Sequence, residues 1–301
     1  MRSQSSVIIA ENLSKSFGKT NALNGVDLAI EKSGVTAILG ANGAGKTTFI
    51  NTALGLISPN KGRVRIFGAR AGSMTARQRT GVMLQGSDLP ELLSAEEHIA
   101  LIGSYYKDPL SVDEVIFQCG MESFAAKPYK KLSGGQKRRV QFALSITGRP
   151  DLIFLDEPTT GLDTDARRAL WQIVRALAED GKTIILTTHY LEEADVLADR
   201  IVVLNKGEII ADGPTEEIRD AVGGAIIRCI TEAELSVLRT LPEVRSAREA
   251  GRYAEMMTSD QTETMKALLS VDPSVKDLTV TKPSLEEAFL DLTENSKEAV
   301  Q

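Results

Sequence analysis

The sequence predicts an α/β protein built on a buried parallel sheet, followed by a small α+β domain. Three observations carry this. The apolar run "VTAILG" leads into the glycine-rich stretch "GANGAGKTT" (Gly40 to Thr48), and "KTTFINTALGL" then has helical spacing. Two more apolar runs, "LIFLDEP" and "TIILTTH", end in polar residues, as strands covered on both faces of a parallel sheet do. Between them "DARRALWQIVRALAEDG" has helical periodicity and a closing glycine, which completes a β-α-β unit.

The other elements follow in chain order. "SVIIAENLSKSFG" and "NALNGVDLAIEKSG" read as strands ahead of the glycine loop. The stretch from about Ser87 to Tyr129 reads as mostly helical. "LSGGQKRRVQFA" (Leu132 to Ala143) opens a further helix, with Val140, Ala143, Leu144 and Thr147 on one face and Gly148 and Pro150 as its stop. A helical region is therefore expected over about residues 87–150. "RIVVLNKGEIIADGP" reads as a hairpin turning at Lys206-Gly207. After Pro214 the pattern becomes β-α-β-β-α-β, with Gly251-Arg252 as a hairpin turn, an order that suggests a ferredoxin-like small domain. The closing "SLEEAFLDLTE" places Leu285, Ala288, Phe289 and Leu292 on one helical face. The expected domains are residues 1–218 and 222–301.

The bulk properties exclude several classes. A chain of 301 residues is long enough for two domains. Its net charge of -6 provides no basic field to attract nucleic acid. Cys119 and Cys229 lie far apart, outside any CxxC or Cys/His cluster, and read as reduced thiols. No apolar run reaches the roughly 18 residues of a membrane span, and the N-terminal apolar stretch is too short for a signal peptide. The expectation is a cytoplasmic protein that reaches a membrane only through a partner.

The chemistry concentrates at the strand ends. "GANGAGKT" fits G-x-x-x-x-G-K-[ST] between an expected strand and an expected helix, the context of a phosphate-binding loop. Gly43 and Gly45 let backbone N–H groups wrap phosphate oxygens, and the helix N-terminus adds positive partial charge. Lys46 is placed to reach the β- and γ-phosphates of a nucleotide, and the Thr47 hydroxyl to bind Mg²⁺. Asp156 and Glu157 end a buried strand, where one carboxylate can hold Mg²⁺ and the next can deprotonate an attacking water. His189 ends the neighbouring strand and can contact the γ-phosphate or that water. Gln85, after the apolar run "GVML", can contact Mg²⁺ or the water through a neutral amide. His98 reads as a surface or packing residue, and Ser94 as the cap of a capping box with Glu97.

"LSGGQ" poses a second question. Ser133 and Gln136 have S-x-x-Q spacing, itself a capping box. Glycine, however, costs about 1 kcal/mol against alanine within a helix, so Gly134 and Gly135 are poor choices for capping alone. They make sense where a phosphate must approach the backbone. Two readings stay open: a second nucleotide, or one nucleotide reached from another molecule.

"GANGAGKTT", Gln85, "LSGGQ", "LIFLDEP", "GLD" (Gly161 to Asp163) and "TTH" occur in the order of the motif set of ATP-binding cassette (ABC) transporter ATPases, which this sequence resembles over about residues 6–218. The resemblance implies a P-loop NTPase fold: a RecA-like core with an antiparallel β subdomain and a helical subdomain. It also implies ATP hydrolysis and a head-to-tail homodimer with two ATPs at the interface. By that resemblance Gly40, Asn42, Gly43, Gly45, Lys46, Thr47 and Thr48 form the phosphate loop, Asp156 is the magnesium aspartate, Glu157 the base and His189 the switch histidine. Gln85 serves the metal and water, Ser133, Gly134, Gly135 and Gln136 meet the ATP of the other subunit, Asp163 crosses the dimer, and Phe17 stacks on adenine where many relatives carry tyrosine. Asp163 also reads as a cap for the helix at Asp165. The tail "KPSLEEAFLDLT" resembles that of type-2 exporter ATPases, which act with a separately encoded membrane permease at the inner face of the membrane. An importer subunit, or a non-transport cassette acting on ribosomes or DNA, is the alternative. Translation-type relatives carry two cassettes in one chain, and DNA-repair types carry coiled coils or zinc modules, neither of which this sequence has.

Overall fold

The computed structural model describes residues 6–86, 88–220, 224–282, 284–287 and 289. The chain divides into two compact units, Met1–Asp212 and Gly213–Gln301. The first begins with β1 (Ser6–Phe17), β2 (Thr20–Glu31), β3 (Gly34–Leu39), α1 (Lys46–Ala53), β4 (Lys61–Ile66), β5 (Ala69–Arg70), α2 (Met74–Arg77) and β6 (Thr80–Met83). It continues with α3 (Ala95–Gly103), α4 (Val112–Gln118), α5 (Gly134–Ile146), β7 (Leu152–Asp156), α6 (Thr164–Glu179), β8 (Thr183–Thr188), α7 (Leu191–Leu197), β9 (Arg200–Asn205) and β10 (Glu208–Pro214), the last crossing into the second unit.

The central sheet has the order β10-β9-β3-β8-β7-β6, and β9, β3, β8, β7 and β6 run parallel. Alternate residues of β7 enter different cores, as the two-residue period of a strand requires. Leu152 and Phe154 pack with Phe49, Ile50 and residues of β1 and β2. Ile153 and Leu155 pack with Val140, Phe142, Trp171 and the helices around them. Both faces are thus covered, which is why the strands read as unbroken apolar runs. The register pairs Leu39 with Thr188 and Asp156 with Thr187. The loops that follow β3, β7, β8 and β6 therefore leave the sheet on one edge, the side where ligands bind in open α/β sheets.

A second sheet, β2-β1-β4-β5, is antiparallel throughout. β4 and β5 were not expected from the sequence pattern. β4 does alternate, with Val64 and Ile66 buried and Arg63 and Arg65 exposed, and it pairs Ile66 with Ile8 and Val64 with Ala10.

The stretch before Tyr129 is less helical than expected. Among the described residues it holds only α3 and α4, each opened by a complete capping box, at Ser94/Glu97 and Ser111/Glu114. Pro90, Gly103, Pro109, Gly120 and Pro128 break the rest into turns. His98 is buried, its Nδ1 2.7 Å from the Ser94 carbonyl oxygen, so it packs and does not lie on the surface. Helix α5 buries Phe142 and Ile146 beside Val140 and Ala143, whereas Leu144 is only partly buried. Both cysteines are buried and free, and burial pushes the Cys119 thiol up to about 12.

The second unit holds α8 (Thr215–Asp220), β11 (Ala225–Ile230), α9 (Leu235–Leu238), β12 (Val244–Ala250), β13 (Tyr253–Thr258), α10 (Gln261–Val271) and β14 (Lys276–Thr281). Its sheet order is β12-β13-β11-β14 with antiparallel neighbours, the split β-α-β arrangement. Its core gathers Ile227, Cys229, Leu238, Met256 and Leu268. Helix α9 is shorter than the sequence pattern suggested. Leu285 is buried, whereas Ala288 and Leu292 of the expected closing helix lie outside the described residues. Among the described residues no helix is long and apolar enough to cross a membrane.

Candidate functional site

The strand-edge loops enclose a cleft of about 700 Å³ lined by Thr20, Ala22, Asn42, Gly43, Gly45, Lys46, Thr47, Thr48, Gln85, Glu157, Thr160 and His189. One wall is the glycine loop. Gly45 stands at the N-cap of α1 with φ +111°, and no side chain caps this helix. Any Cβ at Gly45 would collide with the Ala22 carbonyl oxygen, so the tight turn requires glycine. The uncapped first turn leaves backbone N–H groups for an anion. Lys46 is buried, and its Nζ donates to the carbonyl oxygens of Gly40 (2.6 Å) and Ala41 (3.2 Å). Burial lowers the pKa of this ammonium, while the Glu157 and Asp156 carboxylates act to raise it. Thr47 is exposed at the loop.

The opposite wall is built around Glu157. Its residue follows β7 in the left-handed region, at φ +50°. Its N–H donates to the Thr187 carbonyl oxygen at 3.0 Å. Glu157 Oε2 accepts from Gln85 Nε2 (3.1 Å) and Thr160 Oγ1 (3.3 Å), and Oε1 lies 3.1 Å from His189 Nδ1. Two side chains 72 and 32 residues away from Glu157 in the chain thus meet on its carboxylate. Beneath it Asp156 is buried. Its Oδ1 accepts from the Thr187 hydroxyl, and its Oδ2 has no hydrogen-bond partner among the described residues.

The remaining candidates lie outside this lining. Phe17 is 53% exposed at the end of β1, paired with Thr20, and Lys15 Nζ stands 5.2 Å from its ring centroid. Ser133 and Gln136 form a complete capping box at α5: Gln136 N–H donates to Ser133 Oγ at 3.2 Å and Ser133 N–H to Gln136 Oε1 at 3.0 Å. A Cβ on Gly135 would meet Leu162 at 3.5 Å and Ala166 at 4.0 Å, and one on Gly134 would meet nothing within 4 Å. Asp163 caps α6 through the Ala166 N–H at 2.8 Å.

Two ionisable side chains near the site, one partly buried and one fully buried, carry no clear signal in the sequence. Arg138, on α5, donates to the backbone carbonyls of the Glu157 segment. Glu193, on α7, is fully buried and accepts from Trp171 Nε1 at 3.1 Å, and burial pushes its pKa up. Neither belongs to a short motif, so the only signal was a charged residue on a helix face shared with apolar residues.

The chain is similar to known proteins over most of its length. A family model described as "ABC transporter" matches residues 23–160. A second, described as an AAA domain, putative AbiEii toxin of a type IV toxin–antitoxin system, matches residues 126–195. The chain is 36% identical to the daunorubicin/doxorubicin resistance ATP-binding protein DrrA of Streptomyces peucetius, covering 95% of this chain and 92% of that protein. It is 35% identical to the Nod factor export ATP-binding protein I of Rhizobium sp. (strain N33), covering 93% and 94%. A dimeric ATP-binding cassette solved in a post-hydrolysis state with ADP and Pi superposes with a TM-score of 0.63 at 28% identity, covering 69% of this chain and 98% of that one.

Proposed function

Because the chain belongs to the ABC transporter ATPase family, we propose that it hydrolyses ATP to drive export through a separately encoded membrane permease. Relatives named for drug resistance and for Nod factor export support the export direction. The observation that carries the hydrolytic reading is the Glu157 carboxylate, held by Gln85, Thr160 and His189 across the cleft from Lys46 and the glycine loop.

In this reading the backbone N–H groups of the glycine loop and the Lys46 ammonium bind the β- and γ-phosphates. Glu157 holds the attacking water and takes its proton at a carboxylate oxygen. His189 and Gln85 keep that carboxylate aimed, and Phe17 offers a ring face to adenine. The residues present fit Mg²⁺: Asp156 Oδ2 is buried without a hydrogen-bond partner among the described residues, and Thr47 is exposed in the first turn of α1. Asp156, Thr47 and Gln85 would hold the ion, which when bound neutralises charge on the phosphates. Ser133, Gly134, Gly135, Gln136 and Asp163 face a second copy of the chain in a head-to-tail dimer. The chain then sits in the cytoplasm against its permease, with residues 1–218 as the nucleotide-binding domain and 222–301 as an accessory domain.

Two measurements test this. Lys46→Ala should weaken binding of a fluorescent ATP analogue roughly 10- to 100-fold, the loss of a charge-assisted contact; unchanged binding would remove Lys46 from the site. Affinity-tagged protein drawn from solubilised membranes should bring down an integral membrane protein that stimulates its ATPase activity. Recovery with ribosomes or DNA instead would overturn the transport reading.

A further inference from the structure

Arg138 lies on α5, one turn beyond Gly134, and its acceptors are on the segment that carries Glu157. Its Nε donates to the Pro158 carbonyl oxygen at 3.0 Å, and its Nη2 donates to the carbonyl oxygens of Asp156, at 3.1 Å, and Glu157. Its Nη1 donates to Gln141 Oε1 at 3.0 Å, and Gln141 Nε2 in turn donates to the Tyr129 hydroxyl at 3.2 Å. One planar guanidinium therefore holds three successive carbonyls while a neighbour on its own helix fixes its orientation. A fork of donors suits this arrangement, whereas the point charge of a lysine does not.

The middle residue of the three is Glu157, whose φ of +50° is unusual for a residue with a side chain. Such a conformation persists only where its surroundings over-determine it. From below, the Thr187 backbone and hydroxyl accept the Glu157 N–H. From the side, Arg138 takes its carbonyl.

We propose that Arg138 is a positioning residue for hydrolysis: by clamping the carbonyls of Asp156, Glu157 and Pro158 it fixes the backbone that aims the Glu157 carboxylate, and it ties that aim to the helix opened by Ser133, Gly134, Gly135 and Gln136. This rests on Glu157 being the base of the ATPase reaction. Arg138 does not itself line the cleft, and its bond to the lining residue Glu157 is to the backbone carbonyl, so its action runs through the backbone.

The test compares Arg138→Lys and Arg138→Gln, alone and combined with Glu157→Gln, by steady-state phosphate release, binding of a fluorescent ATP analogue and thermal melting. The lysine variant keeps the cation and the aliphatic stem, which guards against simple unfolding. The expected result is a fall in kcat of roughly 100-fold, the cost of a misplaced reacting group. KM and analogue binding should stay within about threefold, the mark of an interaction that matters only in the transition state. In the Glu157→Gln background, where the base is already gone, the same changes should add nothing. If Arg138→Lys turns over within about threefold of the unmodified chain, or if its loss multiplies with that of Glu157→Gln, the positioning role is wrong. If Glu157→Gln itself hydrolyses ATP at an undiminished rate, the reading of the base fails instead, and the two failures are told apart by that one control.

Discussion

Glu157→Gln is expected to lower ATP turnover by about 10²- to 10⁴-fold, the contribution of a positioned general base, while nucleotide binding survives. The substitution is nearly isosteric. One amide oxygen can still accept from Gln85 Nε2 and Thr160 Oγ1, which both reach Glu157 Oε2. The amide nitrogen then falls near His189 Nδ1, which accepts in one tautomer. The wall of the cleft stays assembled, and only the capacity to take a proton from water is lost. ATP that is bound but not cleaved should keep two copies joined, so the variant should run as a dimer on a sizing column with Mg-ATP and as a monomer without it. Phosphate release near the unmodified rate would sink the assignment of Glu157 as the base.

Gly135→Asp is expected to leave the monomer folded yet abolish ATP-driven dimerisation and turnover. The fold makes no demand for glycine here. The nearest atoms to a Cβ at Gly135 are those of Leu162 and Ala166, at 3.5 and 4.0 Å, which is ordinary van der Waals contact. Gly135 also lies in the first turn of α5, where a carboxylate is favoured by the helix dipole. Thermal melting should therefore stay close to that of the unmodified chain. The harm arises in the dimer, where the new carboxylate would meet the γ-phosphate of the partner's ATP and repel it. Normal dimerisation and activity would return "LSGGQ" to plain helix capping.

These two substitutions fall at sites of different legibility. Glu157 could be found in the sequence because a buried strand that ends in two carboxylates is a local pattern. Ser133 and Gln136 were legible as a capping box, and the box forms as expected. The two glycines were legible only as an oddity, and the monomer sharpens it: neither is demanded by packing within its own chain. The structure also separates these glycines from those of the phosphate loop. Gly45 is held in place by its own chain, through the Ala22 carbonyl.

Other features were hidden because no neighbour in the chain announces them. β4 alternates apolar and polar residues, but over only six positions, and it becomes a strand where Ile8 and Ala10 lie opposite. The region before Tyr129 looked helical because its apolar residues are frequent, but its prolines and glycines divide it into two short helices and turns. For His98 the sequence left surface and packing open, and the fold settles on packing, with its ring buried against the carbonyl of its own cap.

The candidate chemistry is legible in local stretches of the sequence: which loop can wrap phosphate, which strand ends carry carboxylate and imidazole, and which helices are capped. These follow from short-range geometry, since the periods of strand and helix and the reach of a capping side chain involve residues a few positions apart. The convergence of Gln85, Thr160 and His189 on Glu157, and the grip of Arg138 on the backbone beside it, arise only once the sheet is assembled. Those contacts depend on strand order. β3 lies between β9 and β8, and β7 between β8 and β6, so loops distant in the chain open on the same edge. That order is set by which apolar faces bury together across the whole sheet, a long-range competition that no local stretch of residues encodes.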